Sequence, residues 1–122
     1  MTALFTASYR AFRPDWGQAV VTSRSLPKWR LDEAQEWPRL WVLTPTHAEF
    51  GLSGEEFTAA YLGRLSRYGA ARIARSLENI ARHRGADRLV LCCFEAEVDR
   101  CHRGNLAAWW LAECGEDIAE LT

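Results

Sequence analysis

Residues Asp87-Arg88-Leu89-Val90-Leu91-Cys92-Cys93-Phe94 decide the fold class of this chain. From Leu89 to Phe94 the run is apolar without alternation. A run so short, apolar on both faces and introduced by a charged pair, is expected to be a strand buried on both sides, as in a parallel sheet. Glu95 to Arg100 follows as a polar loop. From His102 or Arg103 the pattern turns helical, with Leu106, Trp109, Trp110 and Cys114 facing inward and Gly115 as the stop. Ile118 to Leu121 suits a last short edge strand.

Upstream of the decisive run, Ala70, Ile73, Ala74, Leu77, Ile80 and Ala81 form one apolar stripe opposite Arg72, Arg75, Asn79 and Arg82. This is an amphipathic helix closed by Gly85. Gly69 separates it from an earlier helix in which Phe57, Ala60, Tyr61, Leu65 and Tyr68 recur at helical spacing. Ser53-Gly54-Glu55-Glu56 has the capping-box pattern, which predicts that Ser53 caps this earlier helix. Further back, Pro27, Pro38 and Pro45 punctuate an irregular stretch with Trp29, Trp37 and Trp41, where Leu40 to Leu43 could add a short strand. Ala3 to Tyr9 and Ala19 to Arg24 are strand-like, separated by the turn around Pro14. The order strand, crossover, helix, strand, helix gives an α/β fold. Its small, mostly parallel sheet is expected to be flanked by helices in Rossmann-like or flavodoxin-like layering, with residues 1–122 forming a single domain.

The composition is that of an ordinary globular protein, 48 % hydrophobic and 25 % charged, which excludes a mainly disordered chain. No apolar run approaches the ~20 residues of a membrane span. The first residues lack the layout of a secretory leader, so a cytoplasmic location without membrane partners is expected. The four cysteines, Cys92, Cys93, Cys101 and Cys114, are accordingly read as thiols in a reducing compartment. Neighbours on a strand point to opposite faces, so Cys92 and Cys93 are not expected to pair with each other. Both, and Cys114, are read as core thiols, while His47 and His83 are read as solvated.

Net charge is −1, which argues against a general nucleic-acid coat protein. The distribution is uneven: Arg10, Arg13, Arg24, Lys28 and Arg30 precede residue 31 against Asp15 alone, while Glu116, Asp117 and Glu120 lie in the tail.

In open α/β sheets, ligands collect beyond the carboxyl ends of the strands. Those ends here carry Tyr9-Arg10, Ser23-Arg24 and Cys93-Phe94-Glu95, and Cys101-His102-Arg103 opens the following helix. A helix start offers unpaired amides and partial positive charge, which favour anions. Arg103, Arg24, Ser23, Tyr9 and Arg13 are therefore candidate ligand-binding residues for an anionic, phosphorylated or nucleotide-like small molecule. Cys101 at that position, beside His102, has the features that lower a thiol pKa. Cys101 is the candidate nucleophile, with His102 or Glu95 moving protons. Two alternatives stand beside this reading. Cys92 or Cys93 with Cys101 and His102 could hold a metal, although the spacing lacks a C-x-x-C knuckle. The basic N-terminal third and the loop tryptophans could instead serve a non-catalytic nucleic-acid-binding module, with Trp29, Trp37 and Trp41 stacking on ligand. No Gly-rich phosphate loop, H-E-x-x-H or serine elbow is present, so the sequence names neither a cofactor nor a reaction.

Leu91-Cys92-Cys93-Phe94-Glu95, Cys101-His102-Arg103 and Leu106-Ala107-Ala108-Trp109 together resemble the signature of the domain of unknown function family 488. Thr6-Ala7-Ser8-Tyr9 with Arg13, and Thr22-Ser23-Arg24-Ser25 with Pro27-Lys28-Trp29, are similar to its N-terminal stretches. The resemblance implies an α/β fold with the Cys-His-Arg block at a pocket on the sheet edge, in a family frequent in bacteria and their phages, and it implies no activity. The chain departs from the family in the loop after Glu95, where Ala96-Glu97-Val98-Asp99-Arg100 replaces the usual E-K-x-P.

Overall fold

The computed structural model describes residues 2–95 and 101–122. A four-stranded, all-parallel sheet lies at its centre, in the order β2-β3-β1-β4, where β1 is Ala3–Ser8, β2 Gln18–Val21, β3 Arg88–Cys93 and β4 Ala119–Glu120. The apolar run that decided the fold class is a central strand. β3 pairs Arg88 to Cys93 with Ala3 to Ser8 on one side, and Leu89 to Cys92 with Gln18 to Val21 on the other. Ladders on both edges and cover on both faces explain why it carries no polar alternation.

Five helices accompany the sheet: α1 Leu31–Ala34, α2 His47–Phe50, α3 Gly54–Tyr68, α4 Ala70–Arg84 and α5 His102–Cys114. The period-2 geometry of a strand sends Leu89 and Leu91 to one face and Val90 and Cys92 to the other. The first face packs with Tyr61, Leu65, Ile73, Leu77, Leu106 and Trp110 of α3, α4 and α5. Aromatic side chains cover the other face: Tyr9 and Phe12 are buried there with Trp16 and Trp37 against them. The layering is thus lopsided, helical on one side and aromatic on the other.

Several boundaries differ from the sequence reading. Ser53 precedes α3 without capping it through its side chain. The capping box sits one helix earlier, where Thr46 Oγ1 accepts from the Glu49 amide and Glu49 accepts from the Thr46 amide. Gly54, at φ 55°, turns the chain into α3, and this left-handed backbone takes Ser53 out of capping geometry. Leu40 to Leu43 is no strand, since Trp41–Leu43 is a 3-10 turn. Beside it, one bridge joins Val21 and Arg39. The loop expected over 95–100 lies, past Glu95, outside the described residues. None of the described helices is long and apolar enough to cross a membrane.

Candidate functional site

β3 ends at Cys93 and α5 begins at His102, with Cys101 at the N-cap position and no cap bond from its side chain. Cys93 and Cys101 are joined by a disulfide, which corrects the reading of the cysteines as separate thiols and of Cys93 as a core residue only. The seven residues of intervening chain give no cue to this pairing, which arises because the strand end and the helix start meet. Cys92 stays a free thiol on the opposite face, where burial pushes its pKa up to about 12. Cys114, expected in the core, is exposed near the end of α5.

His102 is fixed on both sides of its ring. Its Nε2 lies 3.1 Å from Thr22 Oγ1, and its Nδ1 lies 3.6 Å from Cys101 Sγ. The Thr22 hydroxyl donates its one hydrogen to the Cys92 carbonyl at 2.8 Å, so it can only accept from His102. Nε2 therefore carries the proton, and Nδ1 presents a lone pair to the sulfur. Burial holds the His102 pKa down at about 4, so the ring is neutral at pH 7. Tyr61 meets its edge at 5.5 Å between ring centres, while the Tyr61 hydroxyl is anchored on the Leu43 carbonyl at 2.7 Å.

Arg103 faces inward. Its side chain is fully buried and its Nη2 lies 2.8 Å from Glu120 Oε2 on β4. Its Nη1 lies 3.0 Å from Cys93 Sγ and 2.6 Å from the Glu95 carbonyl oxygen. This arginine locks strand, loop and edge strand together, and it sets a cation against one sulfur of the disulfide. The exposed Glu95 enters the site through its carbonyl.

An open cavity of about 540 Å³ lies beside the other half of the disulfide. It is lined by Gly54, Glu55, Phe57 and Thr58 of α3 and by Cys101, His102 and Asn105. The N-termini of α3 and α5 converge on it, and the Asn105 amide reaches across to Thr58 Oγ1 at 3.4 Å. Two helix starts supply positive potential to one space.

The remaining candidates lie elsewhere. Tyr9 is buried with its hydroxyl 2.6 Å from Ser23 Oγ, and burial pushes its pKa up to about 12. Ser23 donates onward to the Ser25 carbonyl. Arg24 lies close enough to Arg39 for the two charges to interact. Arg13 is exposed and pairs with Asp15. None of these four lines the Cys101 cavity, so the expected convergence of arginines on the helix start does not occur. Sequence reasoning missed Thr22 as the residue that sets the histidine tautomer, and Glu120 as a partner of Arg103. Neither carries a local signal, because each acts across the sheet.

Cys93, Cys101 and His102 offer ligand atoms within 4.8 Å of one another, a set suited to a thiophilic metal once the sulfurs are reduced. No family model, curated protein or solved structure matches the chain.

Proposed function

We propose that this chain is a thiol–disulfide exchange domain acting on a small anionic thiol or disulfide, with Cys101 as the sulfur attacked and Cys93 as its resolving partner. One observation carries the reading: a cysteine pair bridges a strand end and a helix start, with the Nδ1 lone pair of His102 3.6 Å from the sulfur of Cys101, a residue that lines the cavity. An incoming thiolate attacks Cys101 Sγ and forms a mixed disulfide, and the electron pair of the broken bond leaves on Cys93. The Arg103 guanidinium, 3.0 Å from Cys93 Sγ, stabilises that thiolate. A second thiol then attacks the substrate's own sulfur, so that protein disulfide and two thiols give protein dithiol and one substrate disulfide. His102 Nδ1 accepts a thiol proton in the forward direction and returns it in reverse. The two helix starts favour a substrate that carries carboxylate or phosphate. In a reducing cytoplasm, the compartment expected from sequence, the pair rests as a dithiol. The likeness to the domain of unknown function family 488 is compatible with this reading, since it rests on the same cysteine, histidine and arginine.

The test uses Cys114→Ser as background, with oxidised glutathione as the probe of the Cys93→Ser variant, whose Cys101 is a free thiol, and reduced glutathione as the probe of the protein with both site cysteines. Cys93→Ser should accumulate glutathione on Cys101, visible in intact mass and located by peptide mapping, while the protein with both site cysteines should be reduced cleanly. A Cys101 that takes glutathione no faster than the exposed Cys114 of the native chain would sink the proposal.

A second reading follows from the same cluster. Reduced Cys93 and Cys101 with His102 would hold a zinc-like ion, and disulfide and metal exclude each other. Elemental analysis of reduced protein, purified without chelator, separates the two readings.

A further inference from the structure

At the opposite end of α3 the surface changes character. A groove of about 770 Å³ is lined by Arg39, Trp41, Arg64, Arg67, Tyr68 and Arg72, with two apolar residues between them. Among the described residues no carboxylate lines it. Arg64 is committed beneath the surface, with Nε 2.7 Å from Glu49 Oε2 and donors on the Val42 and Thr44 carbonyls. Arg39 donates to the Ser23 carbonyl while its guanidinium lies 4.3 Å from the Trp41 ring centre. The guanidinium of Arg72 lies 4.1 Å from the Tyr68 ring centre. Among the described residues, the guanidinium groups of Arg67 and Arg72 make no hydrogen bond or ion pair. Trp41 is 59 % exposed although Arg39 occupies one of its faces.

An exposed indole beside available guanidinium groups matches one ligand chemistry, a flat base attached to a phosphate. The ring stacks on the base, and the planar forks of arginine engage the phosphate oxygens. An acidic peptide would satisfy the cations but leave the open face of Trp41 without a partner. We infer that this groove binds the base-and-phosphate unit of a nucleotide, either free or within a single strand. The site is independent of the thiol centre. Thr58 and Arg67 lie nine residues apart on α3, about 14 Å along its axis.

Tryptophan fluorescence of the intact protein is titrated with adenosine triphosphate, a short oligothymidylate and inorganic phosphate. The expected result is saturable quenching by at least one base-carrying probe. Trp41→Leu abolishes most of that quenching, and Arg67→Gln with Arg72→Gln weakens binding about tenfold or more. Both variants alter surface side chains, and circular dichroism checks that they fold. Tighter binding of the oligothymidylate, with a log–log salt slope of about −2 for three phosphate contacts, identifies a single strand as the occupant. Equal or tighter binding of adenosine triphosphate identifies a free nucleotide. The inference is overturned if inorganic phosphate binds as tightly as either, if neither base-carrying probe quenches, or if the variants bind like the native protein. Glutathione exchange at Cys101 stays unchanged in the arginine variant, so failure here and failure of the thiol reading are read separately.

Discussion

The hydroxyl of Thr22 decides which nitrogen of His102 carries a proton. It lies 3.1 Å from Nε2 and has already given its hydrogen to the Cys92 carbonyl, so the imidazole is held with Nδ1 as the base. A residue just past the end of β2 thereby sets which nitrogen faces the sulfur at the helix start.

Thr22→Val keeps the side-chain volume and removes this acceptor. The Cys92 carbonyl still receives the residue 22 amide at 3.1 Å, so the backbone is not left unpaired. With Nε2 unanchored, the ring can place its proton on Nδ1, facing Cys101. Iodoacetamide labelling of reduced Cys101 at pH 7 should slow about tenfold or more, within the range of a lost proton acceptor. An unchanged rate would mean that His102 takes no part in activating the thiol.

Acid should weaken the fold through His102. Its folded pKa is about 4, below the unfolded value of about 6.5, so between these values the unfolded chain holds the extra proton. The contribution to stability is complete above about pH 6.5. It falls by roughly 1.4 kcal/mol for each pH unit on the way down to about 4. Urea unfolding at pH 7 and pH 4.5 should therefore show the native protein losing about 2–3 kcal/mol more than His102→Gln. Equal losses in the two proteins would contradict this account.

The pair Arg103 and Glu120 should respond asymmetrically. The arginine side chain is 0 % exposed and the glutamate 17 %, so only the glutamate can turn to water when its partner goes. Glu120→Leu takes one partner from a buried cation and is expected to cost about 3–5 kcal/mol. Arg103→Met should cost less, and the double variant should recover part of the Glu120→Leu loss. Denaturant midpoints of the three variants give the comparison, and additive losses would deny the coupling.

The architecture was legible wherever periodicity reports burial. Leu89 to Phe94 announced a doubly buried strand, and the stripe from Ala70 to Ala81 announced α4, whose stop at Gly85 has the left-handed backbone a glycine provides. Local motifs were less secure. Ser53 and Glu56 matched a capping box by spacing, but Thr46 and Glu49 form the one observed, because cap geometry depends on the backbone angle at the helix entrance. Within the candidate site, the place of Cys101 and His102 at a helix start was legible. The bond from Cys101 to Cys93 and the burial of Arg103 were not. An arginine at the start of a helix suggests a ligand contact, and only the return of β4 beside β1 brings Glu120 to neutralise it.

The strand order also governs how the chain can come together in time. β1 and β2 are made first, yet neither is hydrogen-bonded to the other in the finished sheet, and both must wait for β3. Ala3 finds its partner only when Arg88 exists, and the edges of both early strands stay unsatisfied until then. Contacts so distant in sequence delay collapse and leave strand edges open to wrong pairing. The segment that ends this wait is the one that carries Cys93. Pairing of the sheet and placement of the Cys93 sulfur at the end of β3 are consequently a single event.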